Sequence, residues 1–222
     1  MSHNNLSAVI FDMDGVLIDS EPSWQVAELN VLSQLGIPIT LEDTLQTTGL
    51  RIDQVVSYWY QRHPWDNYDN TATATAIVEQ VSIEILRSGE AMLGVFEALN
   101  ACKDKGLKIG LATSSSSQLI DAVMQKLAIR PYFDAICSAE SLALGKPHPE
   151  VYLNCAVALG VSPPKCLAIE DSFNGLIAAR AANMLTIAIP APHEANQARW
   201  AAAHQQLADL SQLPDYLYRI DN

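Results

Sequence analysis

The chain has no run of basic residues, no uncharged apolar stretch approaching eighteen residues, no internal repeat and no low-complexity tract. With 13 Lys and Arg against 25 Asp and Glu and a formal net charge of −12, it cannot offer a long interface to a phosphate backbone, so no nucleic-acid partner is expected. The lack of a long apolar stretch leaves nothing to span a bilayer, and no membrane partner is expected. Met1 to Ser7 is polar and the short apolar run after it ends at Asp12, so no signal peptide is expected either. Cysteine is scarce: Cys102, Cys137, Cys155 and Cys166 lack metal-ligand spacing and sit among apolar neighbours, which reads as reduced thiols in a cytoplasmic protein. The densest basic group, Lys103, Lys105 and Lys108, reads as a solvated helix end leading into a strand. Any anion site must therefore be local.

What is present is apolar material in quantity. At 222 residues, 49% hydrophobic and 17% charged, the chain can hold one full-sized domain with a buried core and a smaller one beside it. The pattern alternates short apolar strands with amphipathic helices. Strands are expected at Ala8–Phe11, Leu107–Ala112, Ala135–Ser138, Cys166–Ile169 and Leu185–Ile189, and helices near Val95–Lys103, Gln118–Leu127, Glu150–Leu159 and Phe173–Ala182. That alternation is α/β: a Rossmann-like parallel sheet covered on both faces. One interruption occurs. Helical patterns over about Ser23–Leu35, Ile52–Arg62 and Thr73–Leu86 follow one another with no convincing strand between them, so a separate all-helical unit is expected there. The division is a discontinuous core of residues 1–18 and 90–222 with a helical cap of residues 19–89.

In open parallel sheets, ligands collect beyond the carboxyl ends of the strands. Those ends carry Asp12 and Asp14, Thr113 followed by Ser114, Lys146 in a Gly-Lys-Pro-His-Pro loop, and Glu170-Asp171. Residues i and i+2 of an extended backbone point to the same side, about 6.6 Å apart, so Asp12 and Asp14 can face one reaction centre. Carboxylates this close need a cation or a shared proton. The set suits metal-assisted phosphoryl transfer. Asp12 can attack phosphorus and, with Asp171 and the Asp14 carbonyl, hold Mg²⁺. Asp14 can protonate the leaving alcohol and then deprotonate water, while Thr113 and Lys146 face the phosphoryl oxygens.

Each residue has a plainer explanation. Thr113 and its serines, or Asp171 and Ser172, can be helix caps, and Lys146 or Arg51 an ordinary surface cation. His148 reads as a loop-shaping residue, and Trp24, Tyr58, Trp59 and Trp65 as packing, with room for one or two against a sugar. The joint occurrence at four successive strand ends favours the functional reading.

These motifs, Asp12-Met13-Asp14-Gly15, Thr113, Lys146 and Glu170-Asp171, resemble the four motifs of the haloacid dehalogenase superfamily in order and over essentially the whole chain. The run from Asp14 through Asp19-Ser20-Glu21-Pro22 resembles the subgroup whose helical cap follows the first motif. Together with Thr48-Gly49-Leu50-Arg51-Ile52-Asp53 in the cap, it resembles bacterial sugar-phosphate phosphatases acting on hexitol phosphates and 2-deoxyglucose 6-phosphate. The resemblance implies a Mg²⁺-dependent phosphatase of a small phosphorylated sugar or polyol. Asp12 would be the nucleophile and Asp14 the acid/base, with Asp12, Asp14 and Asp171 as metal ligands, and Thr113, Ser114 and Lys146 on the phosphate. Glu170 would ligate the metal directly or through water. Arg51 would reach the substrate's remote end or a second phosphate. A monomer is the default expectation.

Two alternatives share these motifs. A β-phosphoglucomutase-type isomerase commonly carries a histidine where this chain has Trp24, and an indole N–H donates but cannot accept a proton. A phospho-acceptor signalling module would need neither the cap nor this length.

Overall fold

The computed structural model describes residues 6–47 and 50–220. Thr48 and Gly49, quoted above for the cap, lie outside the described residues, as do Met1–Asn5. A six-stranded, wholly parallel sheet forms the centre, built from β1 (Ala8–Phe11), β4 (Lys108–Thr113), β5 (Ala135–Ser138), β6 (Cys166–Glu170), β7 (Leu185–Ala188) and β8 (Gln205–Gln206) in the order β5-β4-β1-β6-β7-β8. The sheet grows outward from β1 first to one side and then to the other, and that reversal opens a crevice at the carboxyl end of β1.

The pleat sorts the strand residues. Val9, Phe11, Ile109, Leu111, Leu167 and Ile169 join an apolar cluster with α5 (Val95–Asp104), α6 (Ser117–Leu127) and α9 (Leu213–Ile220). Ala8, Ile10, Ala112, Cys166 and Ala168 face α7 (Glu150–Leu159) and α8 (Phe173–Ala181) on the other side. The second face is built of small residues, and helices pack on it closely. A β-carbon at Gly110 would come within 2.5 Å of Cys155 Sγ on α7.

The chain leaves this core through β2 (Ile18–Asp19) and returns through β3 (Glu90–Ala91), which pair antiparallel as a two-stranded ribbon absent from the sequence-based expectation. Between them lie α1 (Glu21–Gln34), α2 (Leu41–Thr44), α3 (Ile52–Arg62) and α4 (Asn70–Ser88). The short α2 was also not anticipated: Thr40 and Asp43 close a reciprocal capping box over its single turn. The helices share their core with the sheet domain. Ala27, Val31, Ile77, Val81 and Ile85 belong to the same apolar cluster as Phe11 and Val123, α4 packs against α6, and Lys126 Nζ on α6 donates to the Leu86 and Arg87 carbonyls at the end of α4. All four cysteines are free. Among the described residues no helix is long and apolar enough to cross a membrane.

Candidate active site

β1 ends in a tight loop. Gly15 N–H donates to the Ile18 carbonyl at 2.9 Å and Leu17 N–H to that of Met13 at 2.8 Å. Gly15 has φ +71°, and a β-carbon there would lie 2.1 Å from Asp171 Oδ2. Both the left-handed backbone and the approach of the β6 loop therefore require glycine after Asp14. Asp12 itself is 7% exposed.

The ammonium of Lys146 crosses from the loop before α7 and makes three hydrogen bonds: to Asp12 Oδ1 at 2.7 Å, Glu170 Oε1 at 2.6 Å and the Ala112 carbonyl at 3.0 Å. All three of its protons are directed, as a buried ammonium requires. Burial opposes the charge, but Asp12 and Glu170 outweigh it and push the Lys146 pKa upward. Glu170, 1% exposed, also accepts from the Tyr152 hydroxyl and from Ser172 Oγ. Gly175 leaves room for it, since a β-carbon there would stand 1.9 Å from Glu170 Oε1. Burial pushes Asp12 up to about 7 despite the Lys146 charge beside it, and burial with the neighbouring Asp12 carboxylate raises Asp171 well above the usual carboxylate range.

Asp14 is held by three donors. Ser20 Oγ and Trp24 Nε1 reach its Oδ1 at 2.5 and 3.3 Å, and Ser115 Oγ reaches Oδ2 at 2.6 Å. Thr113 is buried at the end of β4, and its Oγ1 accepts from Ser115 N–H at 3.0 Å. The cap of α6 is Ser116 and that of α8 is Ser172, so neither Thr113 nor Asp171 is spent on capping. His148 is exposed and lies 3.6 Å from Glu150, outside the cluster.

Asp12, Asp14, Thr113, Ser114, Lys146 and Asp171 line one cavity of about 760 Å³ together with residues of α1, α2, α3 and α4. Arg51 lines it too, but its guanidinium is already engaged, with Nε and Nη2 on Asp53 at 2.6 and 2.8 Å and Nη1 on the Leu142 carbonyl at 3.0 Å. It bridges cap to core. Oxygens of Asp12, Glu170 and Asp171 lie within 4.8 Å of one another, a donor set of hard oxygens that suits a divalent cation. Both Glu170 oxygens already accept hydrogen bonds, which leaves Asp12 and Asp171 as the carboxylates better placed to ligate. Asp12, Asp14 and Asp171 line the cavity with the Lys146 ammonium, which pairs with Asp12 and, behind the wall, with Glu170. A phosphate dianion could enter such a site only with a cation to offset these carboxylates.

Sequence reasoning missed Tyr152, the two serines on Asp14, the indole bond of Trp24 and the cavity-lining Glu28. Ser20 stands within the motif that carried the resemblance. Tyr152 leaves no signal, because an apolar helical stripe absorbs it.

The family described as haloacid dehalogenase-like hydrolase matches residues 6–183. Hexitol phosphatase B of Escherichia coli K12 is 44% identical over 207 residues, 93% of each chain. Fructose-1-phosphate phosphatase YqaB of the same organism is 31% identical over 185 residues, 82% of this chain and 95% of that one. The crystal structure of beta-phosphoglucomutase from Clostridium difficile superposes with a TM-score of 0.83 over 98% of this chain and 97% of that one, at 24% identity; this likeness speaks for the fold. The chain belongs to the haloacid dehalogenase-like hydrolases.

Proposed function

We propose, from membership in this family, that the chain is a phosphatase that hydrolyses small sugar or polyol phosphates (hexitol, hexose or 2-deoxyhexose phosphates) through an aspartyl phosphate on Asp12. The reading takes residues 1–18 and 90–222 as the catalytic core and 19–89 as the cap. It is supported above all by one observation: Lys146 Nζ stands 2.7 Å from Asp12 and 2.6 Å from Glu170, with Asp171 beside them.

In the first step, an Asp12 oxygen forms a bond to phosphorus as the bond to the leaving oxygen breaks, and Asp14 delivers a proton to that oxygen. In the second, Asp14 takes a proton from water as the water oxygen attacks phosphorus, which frees phosphate and restores Asp12. The donors on Asp14 from Ser20, Trp24 and Ser115 keep its carboxyl aimed while the proton moves. Thr113 and Ser114 orient phosphoryl oxygens, and Lys146 supplies a fixed positive charge in a site that excludes bulk water. Mg²⁺, held by Asp12, Asp171 and the Asp14 carbonyl, would offset the charge of carboxylates and phosphate. Arg51 keeps the cap against the Leu142 carbonyl, enclosing the substrate.

A panel of sugar, polyol and nucleotide monophosphates, assayed with Mg²⁺ and with chelator, tests this. Phosphate release over many turnovers is expected, with the highest kcat/KM on hexitol or hexose phosphates, lost on chelation and restored by Mg²⁺. Conversion of a hexose 1-phosphate to its 6-phosphate without free phosphate would establish a mutase instead. A single stoichiometric phosphorylation would establish a receiver module.

A further inference from the structure

Beside the apolar stripe of Ala27, Val31 and Leu32 that packs into the core, α1 turns a largely polar stripe to the cavity. Glu21, Trp24, Gln25 and Glu28 fall at i, i+3, i+4 and i+7, and all four line the cavity. At the near end, the Trp24 indole N–H donates to Asp14 Oδ1 at 3.3 Å. Glu28 lies one turn further, about 6 Å along the helix axis, and lines the same cavity as Asp12 and Asp14.

Glu28 is 5% exposed and stands beside the apolar cluster of Leu32, Val55 and Trp59. Among the described residues it receives one directional hydrogen bond, from Thr47 Oγ1 at 3.1 Å. Trp59 Nε1 is buried without a well-aligned acceptor, although it lies close enough to Glu28 to favour the ionised carboxyl. Burial pushes the Glu28 pKa up to about 7. A carboxylate has four acceptor positions, and one this deeply buried is normally satisfied by several donors. Among the described residues, the side left open to it is the cavity.

We infer that Glu28 is a specificity-determining residue whose carboxylate accepts hydrogen bonds from hydroxyl groups of the sugar or polyol, remote from the phosphate. The inference rests on the sugar-phosphatase reading and adds a selection rule. A neutral, hydroxyl-bearing end is admitted, while a second phosphate or an acid there meets a buried anion.

The test compares kcat/KM for the wild-type protein and Glu28→Gln on sorbitol 6-phosphate, glycerol 3-phosphate, p-nitrophenyl phosphate and fructose 1,6-bisphosphate. The wild type is expected to prefer sorbitol 6-phosphate to the shorter glycerol 3-phosphate. Glu28→Gln is expected to lower the ratio of sorbitol 6-phosphate to p-nitrophenyl phosphate by about tenfold or more, chiefly through KM, the effect of losing a hydrogen bond to a charged acceptor. The relative rate on the bisphosphate should rise. A ratio within twofold of wild type, or an equal loss on every substrate as a purely structural role would give, overturns the inference. If the variant does not fold, the wild type decides alone: preference for the longer polyol supports the inference and its absence overturns it. A wild type that hydrolyses p-nitrophenyl phosphate but no hexitol or hexose phosphate sinks the functional reading and this inference together, whereas hydrolysis with an unmoved ratio removes Glu28 only.

Discussion

Across the cavity, two walls hold their polar side chains by different means. On the sheet side, Asp12, Thr113, Glu170 and Asp171 stand at or just beyond the ends of adjacent paired strands, where ladder register sets their spacing: Phe11 is level with Leu111 and Ile169. Lys146 crosses into this group and ties two of its acids with bonds of 2.6 and 2.7 Å. On the cap side, Glu28 comes from the third turn of α1 and Arg51 from the start of α3. Their positions depend on how each helix is rotated and how the cap is seated on α6. Backbone pairing sets the chemistry, and helix packing sets what surrounds the substrate. The two walls should therefore fail differently when disturbed.

The largest effect belongs to the sheet wall. Asp12→Asn removes the proposed nucleophile with little change of shape, and phosphate release should fall by on the order of 10⁴-fold or more. Steady-state assays would check this, and retained turnover would erase the distinction between the walls. Gly15→Ala comes next, because the new methyl group would meet Asp171 Oδ2 at 2.1 Å in a left-handed backbone. A displaced loop should lower kcat by about 100-fold while leaving most of the fold intact by circular dichroism.

On the cap wall, the sharper readout is stability against pH. The Glu28 carboxyl is raised from 4.5 to about 7 by burial, so the folded protein binds a proton that the unfolded chain has released. That contribution is complete below about pH 4.5 and is lost as pH rises through 7. Glu28→Gln should flatten the decline by up to about 3 kcal/mol, read as the difference between variant and wild type in denaturant titrations across that range. The smallest effect is Arg51→Ala, which cuts the link to the Leu142 carbonyl and should raise KM by several-fold. An equal rise for mono- and bisphosphates would identify a bridge between cap and core, and a rise confined to bisphosphates would identify a substrate contact.

Legibility in the sequence followed the same divide. The strands and helices of the sheet domain as far as Leu185–Ala188 were readable to within a residue or two because period-two and period-3.6 patterns alternate cleanly, whereas β8 and α9 beyond it were not anticipated. Ala135–Ser138 and Glu150–Leu159 fall where the pattern places them. Lys146 and Asp171 were readable as partners of Asp12 because a parallel sheet places successive strand ends on one edge. The β2–β3 ribbon was not, since two residues per strand carry no periodicity. Tyr152, the donor to Glu170, was hidden in the apolar stripe of its helix. Ser115 bonds to Asp14, while its neighbour Ser114 only lines the cavity, a distinction made by one peptide of loop conformation. Arg51 was read as reaching the substrate's remote end or a second phosphate, and its engagement by Asp53 and the Leu142 carbonyl was not foreseen.

Residue order along the chain was enough to determine the parallel sheet, the inserted helices and the four strand-end motifs, because hydrophobic period and strand-end position are local properties that a linear pattern records. The tertiary structure alone decided which serines hold Asp14, that Tyr152 and Lys146 share Glu170, that Arg51 spans cap and core, and that Glu28 faces the cavity. Those contacts depend on helix rotation, loop conformation and the seating of one layer on another, and residues far apart in the chain acquire such relations only when the layers pack.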